Sequence, residues 1–166
     1  ASKQADLDAI ESTYGVSSPT KALFDDNRRL SAIYSSIQLG NVSPDYPDGV
    51  NQTVTALVEE HESLFGLDDG DAAISDSKTQ CFGKVCRTVI SKTFGELPAW
   101  DHELVLGTHD ATLISIQGEF DAPDPRRFST TRLTNDEVRQ DVADYFGVET
   151  DAIKFESTPE LGIARD

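Results

Sequence analysis

Of the 166 residues, the run Cys81-Phe82-Gly83-Lys84-Val85-Cys86 constrains the fold most. With Gly83-Lys84 as a two-residue hairpin loop, glycine leading as a type II′ turn favours, Phe82 faces Val85 and Cys81 faces Cys86. If Phe82 and Val85 form the hydrogen-bonded pair, the cysteines occupy the next, closer pair, where opposed Cβ atoms lie near disulfide distance. Zinc would need two further ligands nearby, and the local sequence offers none. The expected state is a Cys81–Cys86 disulfide, hence an oxidising compartment, secreted or periplasmic. A staple across so short a loop governs local register more than global stability.

Strand patterns surround this hairpin from Ser77 to Phe120. Pro98 cannot donate to a ladder, so Glu96-Leu97-Pro98 predicts a kink at an edge, a strand start or a bulge. Glu103–Gly107 and Thr112–Phe120 read as strands joined by a hairpin at Thr108-His109-Asp110-Ala111. In the second of these, Leu113, Ser115 and Gln117 alternate with Ile114, Ile116 and Gly118, apolar on both faces near the middle, as in a central, covered strand. Upstream, Arg28–Gln38 reads as another strand, and Leu7 and Ile10 mark a short helix broken near Gly15. Residues 40–49 read as a loop. Val50, Val54, Leu57, Val58, His61, Leu64 and Phe65 recur at helical spacing and end at Gly66. The fold class expected is α+β: an antiparallel sheet covered by this amphipathic helix over residues 1–122. A linker follows at 123–131, then a second small, incomplete α+β unit over 132–166. Its opening Thr134-Asn135-Asp136-Glu137 is a capping box, followed by the apolar stripe Val138, Val142, Tyr145 and Phe146 and a stop at Gly147. Ile153–Ile163 reads as a strand, a Pro159 break and the start of another strand.

Charge and chemistry narrow the function. Thirty acidic against fourteen basic residues leave a net charge of −16, which disfavours nucleic acid and anionic membrane surfaces as partners. This acid excess suits an exported bacterial protein or a salt-adapted one. A chain that begins at Ala1 and holds no Met is expected to be a processed product or a piece of a longer protein. His61-Glu62 and His102-Glu103 each begin the H-E-x-x-H zinc pattern, but Phe65 and Leu106 stand where the second His is required. His61 reads as a helix-face residue and His109 as a hairpin-tip residue. Asp68-Asp69-Gly70-Asp71 lacks the spaced ligands of a calcium loop and reads as a solvated acidic turn. Asn41-Val42-Ser43 and Asn51-Gln52-Thr53 match the glycosylation pattern, which matters only in a eukaryotic secretory pathway. No nucleophile elbow or phosphate loop occurs. The expectation is a non-enzyme with no catalytic residues, no metal and no cofactor.

Lys92-Thr93-Phe94-Gly95-Glu96-Leu97-Pro98-Ala99-Trp100-Asp101, then Glu103-Leu104-Val105-Leu106 and Ser115-Ile116-Gln117-Gly118, resembles the propeptide of thermolysin-like metallopeptidases. Phe94, Leu97, Pro98, Trp100, Leu104 and Gly118 fit that family's places, while Lys92, Glu96, Ala99 and Asp101 depart from its Gln, Gly, Val and Gly. Leu64-Phe65-Gly66-Leu67 resembles the close of the propeptide helix upstream. The capped helix from Thr134 and Pro159-Glu160-Leu161-Gly162-Ile163 resemble the start of the PepSY module that follows. Fungalysin-type propeptides share the first module. The resemblance implies an intramolecular chaperone and temporary inhibitor, whose partner is the zinc metallopeptidase catalytic domain made on the same chain beyond Asp166. Phe94, Leu97, Pro98 and Trp100 at the kinked strand are the expected partner-binding residues. Phe94 and Leu97 serve the domain's own core equally well, which leaves Trp100 the stronger interface candidate. The alternative is a free-standing exported protease-inhibitory or protein-binding module of the same fold; a small secreted enzyme is the third reading.

Overall fold

The computed structural model describes residues 3–122 and 134–156. The chain divides into two compact units, the first running to Pro123 and the second starting at Asp124.

In the first unit, α1 (Lys3–Tyr14) precedes β1 (Lys21–Phe24) and β2 (Leu30–Gln38); α2 (Pro47–Glu60) and α3 (Glu62–Phe65) follow. The remaining strands are β3 (Ala72–Phe82), β4 (Val85–Phe94), β5 (Leu97–His109) and β6 (Thr112–Gly118). All six form one antiparallel sheet in the order β1-β2-β6-β5-β4-β3, so the α+β class holds. β3 to β6 are joined by two-residue turns whose first residue has positive φ: Gly83 (61°), Gly95 (59°) and Asp110 (48°). That backbone twist matches the twist of the flanking strands.

The helices cover one face. Leu7 and Ile10 of α1, Val54, Leu57 and Val58 of α2, and Leu64 and Phe65 of α3 pack with Ile33, Ile37, Ile90, Leu104, Leu106, Leu113 and Ile116. Each such side chain contributes about 1.5–3 kcal/mol by leaving water. Phe120, just past β6, stacks on Phe65 with ring centroids 6.0 Å apart.

Several expectations need correction. The roof is not one helix. At His61 (φ −125°, ψ 51°) the backbone leaves the helical region, which separates α2 from α3 and places His61 at the break, not on a helix face. α2 also starts inside the expected loop, because Pro47 suits the first turn of a helix. β1 has no counterpart in the sequence reading: its four residues are mostly exposed and show no alternation. β6 is central but covered on one face only, leaving Ile114 39% exposed.

In the second unit, Thr134 caps α4 (Asn135–Phe146) through the expected capping box. The Glu137 amide donates to Thr134 Oγ1 at 3.2 Å, and the Thr134 amide donates to Glu137 at 2.6 Å. The Thr134 amide and, at 2.9 Å, the Thr134 hydroxyl both donate to the Glu137 carboxylate and hold that carboxyl below its ordinary range. Gly147 ends the helix at φ 65°. The predicted stripe is not a buried one: Ala143 is buried, whereas Tyr145 is 85% and Phe146 68% exposed, packed edge-to-face on each other. Among the described residues this unit holds α4 and a 3₁₀ turn (Thr150–Ala152) and no strand. The strands expected after Ile153 fall mostly outside the described residues, as does the whole of the linker.

Candidate protein-binding site at the kinked strand

The Gly95-Glu96 turn makes Phe94 and Leu97 the pair that closes the hairpin. The next pair, Thr93 and Pro98, is therefore non-hydrogen-bonded, and the Pro98 nitrogen points away from β4. On that side β6 reaches only to Gly118, opposite Leu104, so Pro98 interrupts no ladder.

Past Pro98 the strand departs from regular pairing. Lys92 pairs with Ala99 and Ile90 with Leu104, so the four residues 100–103 of β5 stand opposite the single Ser91 of β4. This wide bulge resets the inward alternation, from Ala99 to His102, Leu104 and Leu106. It also leaves Trp100 44% exposed. Its far end is fixed by the Glu119 amide, which donates to the Glu103 carbonyl at 3.0 Å. Gly118 (φ 124°) makes that approach possible, because a Cβ there would collide with the same carbonyl oxygen.

The four predicted residues do not form one patch. Phe94 and Leu97 are cross-strand partners and half-buried. By strand alternation Pro98 and Trp100 lie on the opposite side from Leu97 and Ala99. The structure thus splits the expected quartet into two pairs.

Beneath the bulge lies a feature the sequence reading missed. Lys92 is 1% exposed. Its ammonium donates to the Phe65 carbonyl at the end of α3 and to the Glu119 carbonyl at 2.7 Å. Burial pulls it down from the ordinary 10.5 to about 8; Glu119 and Asp121 oppose that fall and Lys3 adds to it. Lys3 makes a parallel tie, donating to the Leu64 carbonyl at 3.3 Å and the Phe120 carbonyl at 2.7 Å, with Asp121 Oδ1 at 2.7 Å. Two cations thereby join the C-terminal carbonyls of α3 to the segment leaving β6. The signal was present: Cys86, Thr88 and Ile90 alternate inward, and Lys92 is next in that series.

The disulfide Cys81–Cys86 forms as expected, with Cα atoms 4.0 Å apart and the predicted register. His109 sits beside the β5–β6 turn, its Nδ1 3.6 Å from Asp110 Oδ2. The Asp68–Asp71 turn is closed by its own backbone, the Ala72 amide donating to the Asp69 carbonyl at 2.8 Å. Asn51 of the second glycosylation pattern is engaged inside the fold, bonded to Ser77 and Thr79. Among the described residues no group of three or more His, Cys, Asp or Glu is placed to hold a metal ion. None of the described helices is long and apolar enough to cross a membrane.

The chain matches no family model, no curated protein and no solved structure.

Proposed function

We propose that this chain acts as a propeptide: an exported, non-enzymatic protein that binds a secreted zinc metallopeptidase of the thermolysin or fungalysin type. It covers the peptidase cleft until cleavage and lowers the barrier to peptidase folding. One observation carries the reading. Trp100 is the chain's only tryptophan and stands half-exposed on a wide bulge, where a residue serving only its own core would be covered. Large aromatics held on a rigid scaffold are the usual anchors of protein contacts. The resemblance to such propeptides, strongest over residues 50–120, supports the same reading, and the disulfide suits an oxidising compartment.

The test is titration of a thermolysin-like peptidase with the purified chain. Saturable inhibition with the chain surviving intact, together with faster recovery of activity when denatured peptidase refolds beside it, is the expected result. Rapid digestion with no slowing of a reporter substrate would contradict the proposal.

A further inference from the structure

β3 is the last strand of the sheet, and among the described residues nothing pairs with its outer side. It is 11 residues long, against 4 for β1 at the other edge. Its two halves differ. Between Ile74 and Asp76 the register shifts, leaving Ser75 as an extra residue opposite β4. Such a bulge twists an edge away from partners. From Asp76 to Phe82 pairing with β4 is continuous.

The direction of the free backbone groups follows from that register. The two-residue turn makes Phe82–Val85 the hydrogen-bonded pair, and the 4.0 Å Cα separation of Cys81 and Cys86 fits the close, non-hydrogen-bonded pair next to it. The amides and carbonyls of Cys81, Thr79 and Ser77 therefore point outward along the open edge. The strand is also held stiff. Ser77 Oγ donates to Asn51 Oδ1 at 3.0 Å, Asn51 Nδ2 donates to Thr79 Oγ1 at 3.1 Å, and Thr79 and Thr88 hydroxyls lie 2.7 Å apart.

We propose that residues 76–82 form a self-association edge. β3 of a second copy pairs antiparallel with it, Thr79 opposite Thr79, and the two sheets become one. In this register Ser77 of each copy faces Cys81 of the other, so all three outward residues find partners, and the Ser75 bulge stays outside the paired stretch. The side chains are self-complementary. Lys78 faces Gln80, Thr79 faces Thr79, and Asp76 faces Phe82. Asp76 lies 3.2 Å from Lys78 within each copy, which tempers the approach of the two Lys78 side chains. The net charge of −16 on each copy opposes association, and added salt screens that repulsion. This edge is distinct from the β5 bulge, and its test is independent of any peptidase.

Sedimentation equilibrium of the whole chain provides the test. A monomer–dimer equilibrium that strengthens from about 0.05 M to about 0.5 M NaCl is expected. Gln80→Glu places a carboxylate opposite Lys78 twice per dimer and should tighten association about fivefold, while Gln80→Lys should weaken it about fivefold. The double variant Lys78→Glu/Gln80→Lys should restore it. Gln80 is exposed, so all variants should keep the parent's circular dichroism and melting temperature. A chain that stays monomeric at roughly millimolar concentration in high salt overturns the proposal, as do dimers whose strength ignores the sign of the charge at position 80. A monomer that instead accepts an extended segment of another protein at β3 overturns it equally.

Discussion

The hairpins at the two ends of β4 close with the same kind of two-residue turn, yet they are fixed by different means. At the Val85 end the Cys81–Cys86 bond and an unbroken register hold two straight strands, and the exposed tip carries Phe82 at 77% exposure. At the Phe94 end there is no covalent tie. Four residues bulge from β5, and the irregular backbone is held from below by Lys92, which reaches carbonyls on α3 and past β6. The first end is stabilised locally, through residues five apart in sequence. The second depends on contacts 27 residues away on either side. A regular, stapled strand presents backbone; a bulged strand held by buried polar bonds presents a side chain, Trp100.

Substitutions can break that contrast. The largest effect should come from Lys92→Ala, which removes the ammonium's bonds to two carbonyls and opens a cavity, and should cost about 4 kcal/mol in chemical denaturation. A loss below about 1 kcal/mol would mean the bulge is held otherwise. The same lysine predicts a pH dependence. Its pKa is about 8 when folded and about 10.5 when unfolded, so between those values the unfolded chain binds more protons and stability rises with pH. The rise should approach about 3 kcal/mol by pH 10.5, measured as the difference between the parent and Lys92→Met, since ionising tyrosines affect both alike. A difference that is flat, or that falls, would contradict the burial of a cation. The double variant Cys81→Ser/Cys86→Ser should cost about 2 kcal/mol or less while keeping the β3–β4 amide pattern in NMR spectra, because the closed loop is short. Smallest of all, Pro98→Ala should change stability by less than about 1 kcal/mol, given a nitrogen that faces no strand. Severe unfolding would place Pro98 inside a ladder.

The same contrast explains what could be read from the sequence. The Cys81–Cys86 register, the Thr134 capping box and the Gly66 and Gly147 stops rest on residues a few positions apart, where spacing alone fixes geometry. The helix break at His61 and the bare strand Lys21–Phe24 carry no such local signature. The bulge at residues 100–103 depends on Gly118 permitting a close approach, and the inward lysine on carbonyls of Phe65 and Glu119. Phe94, Leu97, Pro98 and Trp100 are neighbours in one short segment of the sequence, but dividing them between two sides of the strand required the register. The tyrosine and phenylalanine of α4 show the opposite failure: helical spacing marked Tyr145 and Phe146 as a stripe, and spacing alone does not say whether a stripe is covered.

The direct measurement is hydrogen–deuterium exchange of the chain with and without a thermolysin-like peptidase bound. The account predicts new protection concentrated in residues 94–103, lost when Trp100 is replaced by Ala. A stable complex that leaves that segment exchanging as in the free chain would contradict it.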